Sequence, residues 1–205
     1  MGSKHIMGNN IQLDKFYNDY ISKLSEKLID INIGNLDKII DLLIKKIKNN
    51  KQIFICGNGG SAAIANHYIC DYLKLLRYNT KLKPKIISLA DNIETITAIS
   101  NDISYSEVFK YQAESLCNKS DLIIIISSSG NSLNVLNLAK WAKKNKIDVV
   151  SFTGFDGGKL KKISKININI YKKNYGRIED SHHILMHIMM HFISLKYKNV
   201  KKIRL

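Results

Sequence analysis

Gln52-Ile53-Phe54-Ile55-Cys56-Gly57-Asn58-Gly59-Gly60-Ser61 is a short apolar run that stops in a cluster of glycines. Its length is that of a strand rather than a helix. Glycines let the backbone turn tightly and come close to a ligand, while the next helix offers free N–H groups. The stretch therefore reads as a strand, a turn and a helix beginning at Ser61. The alternation recurs downstream, with strands expected at Lys85–Leu89, Leu122–Ile126, Asp148–Phe152 and Ile166–Ile170. Helices are expected at Tyr105–Leu116, at Ser132–Lys144 and from Arg177 to Tyr197. Strands that are apolar throughout and separated by helices belong to a parallel sheet covered on both faces. Upstream, Leu13–Asp30 carries Phe16, Ile21, Leu24 and Leu28 at helical spacing, and Leu36–Ile47 carries Ile39, Ile40, Leu43 and Ile47. The expected fold class is α/β, a three-layer, doubly wound, flavodoxin-like parallel sheet preceded by two helices.

At 205 residues, 45% apolar and 24% charged, the chain is sized for one domain that needs no disulfides. Residues 1–10 read as an appended, disordered stretch, and 11–205 as that domain. No secretory pattern opens the chain and no apolar run reaches the roughly 18 residues of a membrane helix, so no membrane partner is expected. Cys56, Cys70 and Cys117 are odd in number, lie in apolar segments and form no C-x-x-C pair, which fits a reducing cytoplasm. A formal charge of +15 would suit nucleic acid. Most of the lysines, however, are scattered among Ile and Asn on outer helix faces. Only Lys159, Lys161 and Lys162 near Lys165, and Lys198, Lys201, Lys202 and Arg204, resemble patches. Scattered charge marks solvated faces, so no nucleic-acid partner is expected.

Two loops carry ligand chemistry. Gly57–Ser61 meets the dinucleotide fingerprint only loosely, with Ala62 in its last position, and Asp91 comes later than the roughly 20-residue spacing of a ribose-binding acid. A sugar phosphate ranks above a dinucleotide there, the bland alternative being a tight turn. Ser127-Ser128-Ser129-Gly130-Asn131-Ser132 follows the most apolar strand. One serine before a helix is ordinarily an N-cap. Four hydroxyls in six residues exceed capping needs, and the carboxyl end of a strand is where open α/β sheets bind ligands. Hydroxyls and backbone N–H groups suit a phosphate monoester, and the loop lacks the lysine of a nucleotide P-loop.

A third constellation lies on helices. His67 and Asp71 are four apart, as are Glu179, His183 and His187, with His191 continuing the stripe. Two such ladders on facing helices could make a nitrogen and oxygen metal site or an acid–base pair; a half-buried structural stripe is the alternative. His182 and Asp180 point elsewhere, Asp180 as a charge favourable to the helix N-terminus.

These residues resemble the bacterial phosphoheptose isomerases, within the sugar-isomerase (SIS) domain superfamily, from about residue 13 to 195. The anchors are Gly57–Ser61 with His67, Asn101-Asp102, Ser127–Ser132, Thr153-Gly154-Phe155-Asp156-Gly157-Gly158, and His187. The resemblance implies a SIS-type fold and sugar-phosphate binding by Asn58, Gly59, Gly60, Ser61, Asn101, Asp102, Ser127, Ser128, Ser129, Ser132 and Glu179. It places zinc on His67, Asp71, Glu179 and His187, with His183 as a further candidate, and an acid–base pair on Asp71 and His187. It implies isomerisation of sedoheptulose 7-phosphate to D-glycero-D-manno-heptose 7-phosphate for lipopolysaccharide or capsule, and a homotetramer with shared sites built by the helices of residues 11–49. Asp71 stands where the family pattern has Glu, Glu179 where it has Gln, and Gly176 where it has Asp, so Asp71 and Glu179 are rival bases. The alternatives are an isomerase of another ketose phosphate and a non-catalytic sugar-phosphate sensor. The sensor has no need of His67, Asp71, Glu179 and His187, and no helix-turn-helix domain is seen at either end.

Overall fold

The computed structural model describes residues 12–171 and 173–198. Residues 1–10, and Lys201, Lys202 and Arg204 of the basic tail, lie outside the described residues. Helices α1 (Leu13–Ile29) and α2 (Ile33–Lys48) precede the sheet. The five strands are β1 (Gln52–Gly57), β2 (Lys85–Ser88), β3 (Leu122–Ser127), β4 (Asp148–Gly154) and β5 (Ile166–Ile170). They are parallel, in the order β2-β1-β3-β4-β5. This is the doubly wound, flavodoxin-like arrangement expected of the sequence.

The central strands β1, β3 and β4 are buried on both faces, and their alternate residues serve different cores. Ile53, Ile55, Ile124, Ile126 and Phe152 join α2, α3 (Gly60–Cys70) and α9 (Tyr175–Lys196). Phe54, Cys56, Ile123, Ile125 and Val149 join α5 (Ile93–Asp102), α6 (Val108–Leu116) and α7 (Leu133–Lys144). Every residue of β3 is buried, so none of its positions tolerates a charge.

Several boundaries differ from expectation for local reasons. Asn32 and Asn174 accept hydrogen bonds from Asn35 N and Arg177 N, starting α2 and α9 before their first periodic apolar residue. The expected helix from Tyr105 is a 3₁₀ turn, Tyr105–Glu107, leading into α6. Helix α5 was not expected: Ile93-Glu94-Thr95-Ile96-Thr97 is β-branched and strand-like in composition, yet Asn92 caps it by accepting from Thr95 N at 2.7 Å. After Cys70, α3 widens into a π-helical segment, Asp71–Leu76, and a single turn α4 (Arg77–Asn79). The short α8 (Gly158–Ile163) was also unforeseen.

Helix α1 buries none of its residues and meets α9 through polar contacts. Tyr20 Oη donates to Asp180 Oδ2 at 2.6 Å, and Arg177 lies over the Tyr20 ring. The hydrogen bond to Asp180 pushes the Tyr20 phenol up to about 12. Asp180 thus anchors α1 as well as standing in the first turns of α9.

Helix α9 is seated on β4 through Gly154, where an added Cβ would meet three carbons of the fully buried Ile178 side chain. Gly154→Ala is expected to cost about 1–3 kcal/mol by overpacking, read as a lower urea midpoint at unchanged slope.

Candidate active site

The strand order reverses between β1 and β3, since β1 leads to a strand on one side of it and β3 to strands on the other. Open α/β sheets hold ligands at this point, beyond the carboxyl ends of the strands. The glycine turn follows β1 and the serine loop follows β3, so topology alone brings both loops to one crevice. A cavity of about 160 Å³ lies there, lined by Asn58, Ser61, Ser127, Ser128, Ser129, Ser132, Tyr175 and Glu179. Among the described residues, no lysine or arginine lines it. A larger cavity of about 530 Å³, between β2, α5 and α6, contains none of the expected site residues.

The hydroxyls divide by their engagements. Ser127 Oγ and Ser129 Oγ accept from Gly130 N and Asn131 N and shape the loop. Ser128 Oγ is buried and has no partner among the described residues. Ser132 occupies the N-cap position of α7 without a side-chain cap hydrogen bond, so the capping alternative does not account for it. These two hydroxyls and the N-terminus of α7 leave donors available to an anion. Asn58 is held firmly: its Oδ1 accepts from Tyr105 Oη at 2.9 Å and Asn134 Nδ2 at 2.8 Å, and its Nδ2 donates to Asn134 Oδ1. Gly59 is exposed beside it. An added Cβ at Gly60 would meet the Glu179 carboxylate, which would have to swing aside, so glycine leaves that carboxylate its place against the turn. Burial, and then the neighbouring Asp180, raise the Glu179 carboxyl above the ordinary glutamate value.

Further along α3 and α9 the two ladders meet. His67 Nε2 and His187 Nε2 are 3.1 Å apart. Asp71 Oδ2 lies 3.3 Å from His187 Nε2 and 3.6 Å from His67 Nε2. The His183 ring stands 4.7 Å from each of the other two, and one nitrogen from each of His67, His183 and His187 lies within 4.8 Å of the others. Burial lowers the His183 pKa, with His187 and His67 acting in the same direction. His191 extends the stripe, its ring 6.4 Å from that of His187. His182 does point elsewhere: fully buried, it pairs with Thr153 O at 3.1 Å, and burial depresses it to about 4.

Asn101 and Asp102 are exposed at the end of α5, Asn101 Nδ2 donating to Asp102 Oδ1 at 2.8 Å, and neither lines the cavity. The same segment reaches the crevice instead through Tyr105.

Residues 16–154 match the SIS domain family. The chain is 40% identical over 155 residues to the phosphoheptose isomerase of Helicobacter pylori (strain P12), covering 75% of this chain and 80% of that one. The chain belongs to the phosphoheptose isomerase family. The solved phosphoheptose isomerase of Neisseria gonorrhoeae superposes with a TM-score of 0.78 at 29% identity, over 88% of this chain and 96% of that one. That of Francisella tularensis gives 0.81 at 24% identity, over 92% and 100%, which speaks to the fold. This family membership makes the chain an isomerase, as the resemblance implied. The SIS match stops at the end of β4, so the reading of the α9 residues rests on the geometry. Sequence reasoning missed Tyr105, Asn134 and Tyr175; the only early sign of Asn134 was its place two residues beyond the serine loop.

Because the Ser128 hydroxyl is buried and unpartnered, Ser128→Ala should leave stability unchanged or slightly raised while weakening sugar-phosphate binding at least about tenfold, the scale of one lost charge-assisted hydrogen bond. Calorimetric titration and thermal unfolding of the same sample separate the two effects.

Proposed function

We propose that the chain converts sedoheptulose 7-phosphate to D-glycero-D-manno-heptose 7-phosphate in the cytoplasm, as a supply of heptose for lipopolysaccharide or capsule. The observation that carries this is the pair of stations along one crevice. Uncommitted hydroxyls stand at one end. His67 stands seven residues along α3 from Gly60, about 10 Å by helix rise, with Asp71 one turn further on and His187 of α9 against both. A ketose phosphate with its phosphate and carbonyl at opposite ends spans such a separation, with Glu179 between them facing the sugar hydroxyls.

The chemistry follows from the residues. Asp71 takes the proton from C1 of the ketose while the C2 oxygen gains a proton from His187, giving a cis-enediol. His187 then accepts the O1 proton as Asp71 returns its own to C2, leaving the aldehyde at C1. No net oxidation occurs. Glu179 is the rival base, but it lines the phosphate cavity, whereas Asp71 touches His187. The imidazole and carboxylate donors around His67, Asp71 and His187 fit a zinc-like ion. When bound, such an ion would supply Lewis-acid stabilisation of the enediolate oxygens.

Metal-replete protein is expected to turn over sedoheptulose 7-phosphate, the aldose being detected by NMR. Asp71→Ala and His187→Ala are expected to lower kcat at least about a hundredfold, whereas Glu179→Ala should act mainly on KM. Sugar-phosphate binding without turnover would instead favour a sensor or another ketose phosphate.

Assembly belongs to the same proposal. Leu13, Phe16, Tyr17 and Ile21 of α1 are all exposed, and a helix with no buried face gains little alone. We place this face against other copies in a homotetramer, where Asn101 and Asp102 would complete a neighbour's substrate site. Light scattering should give the tetramer mass, and Phe16→Glu with Ile21→Glu should lower it.

A further inference from the structure

Three imidazoles converge where the family resemblance places two imidazoles, a carboxylate and an amide position. Of the resemblance set, Glu179 stands apart: its carboxylate packs against Gly60 at the start of α3 and lines the serine cavity. His67 lies seven residues further on, about 10 Å along the helix. His183 is one turn beyond Glu179 on α9, and its ring edges against His67 and tilts over His187. One nitrogen from each of the three rings falls within 4.8 Å of the others. Tetrahedral metal–nitrogen bonds of 2.0–2.1 Å set ligand atoms about 3.3 Å apart, and the His67 and His187 Nε2 atoms are already at 3.1 Å.

A second observation points the same way. His183 Nε2 is buried with no hydrogen-bond partner among the described residues. A buried polar nitrogen without a partner is costly and calls for an explanation. A chain with no use for polarity there would be better served by an apolar residue packed between α3 and α9.

We infer that this chain holds a divalent transition metal on His67, His183 and His187, with Asp71 on the fourth side and Glu179 outside the set as a substrate-binding carboxylate. What such an ion does in turnover rests on the isomerase reading above; its binding does not. A set of three imidazoles selects zinc, cobalt or nickel over magnesium and calcium, which prefer oxygen. Ion and proton compete for the same imidazole nitrogens, so binding releases protons.

The test titrates the chelator-stripped full-length protein with Co²⁺ in the absence of any sugar, reading the visible ligand-field absorption and the dissociation constant. Wild type is expected to bind with the intense bands of a tetrahedral site of three imidazoles and an oxygen. His183→Leu should weaken binding at least about tenfold, the scale lost even with an outer-shell partner, and Glu179→Gln should change it less than about twofold. Unchanged affinity in His183→Leu, or a tenfold loss in Glu179→Gln, overturns the assignment. Should His183→Leu fail to fold, long-range ¹⁵N–¹H NMR of the wild type with Zn²⁺ decides: a large coordination shift of a His183 ring nitrogen supports the set, and an unmoved ring overturns it. Absence of sedoheptulose 7-phosphate turnover in the loaded protein would sink the isomerase reading and leave the ligand set standing.

Discussion

The parallel pairing of β1 with β3, Cys56 beside Ile125 and Gly57 beside Ile126, is the constraint from which the rest follows. Because these strands are neighbours in space but not in sequence, the loops that leave them diverge to opposite sides of the sheet. A gap must open between the loops, and it opens where two helix N-termini point inward. The glycine turn and the serine loop are 70 residues apart from Gly57 to Ser127, and nothing local relates them. The pairing does so, and it is enforced by the burial of β3 on both faces, each large apolar side chain contributing about 1.5–3 kcal/mol.

The second station depends on how α9 is held against α3. Gly154 seats α9 on β4, since an added Cβ would drive into the fully buried Ile178 side chain. At Gly60 the Glu179 carboxylate lies over the glycine turn. With the helix so seated, residues at four-residue spacing on α9 face residues at four-residue spacing on α3, and His67, Asp71, His183 and His187 meet. The π-helical segment begins at Asp71 itself. Such wide turns recur at functional sites, and here the widening starts at the residue whose carboxylate faces both imidazoles.

Much of this arrangement was legible in the chain. The continuously apolar strands required a sheet covered on both faces, and the two ladders required a meeting of helices if they were to act at all. Less legible were features set by contacts across the fold. Helix α5 was hidden because its β-branched residues favour a strand locally and only Ile99 is buried to declare a face. Tyr105 and Asn134 could not be singled out because their part in the crevice is to hold Asn58, a role visible only once β1, β3 and α7 are assembled. The place of Glu179 was not legible for a related reason. Spacing puts it on the same helical stripe as His183 and His187, but the stripe is about 12 Å long by helix rise, and at its near end the Glu179 carboxylate lies against Gly60 and lines the serine cavity.

On the proposed reading the cavity would take a doubly charged group with no cation among its described lining residues, and this suits what a catalyst needs. A lysine there would grip the phosphate equally in the ketose, the enediol and the aldose, and uniform binding does not lower the chemical barrier. In the proposed reaction, hydroxyls and helix N-termini would provide orientation instead, fixing the far end of the sugar so that its first two carbons come to Asp71 and His187. The charge of +15 is spread over the outer faces, where it can raise the local concentration of an anionic substrate by long-range attraction without occupying the crevice. Binding at one end and proton transfer at the other could then be tuned separately, so that a change at Asp71 would leave the serine loop undisturbed.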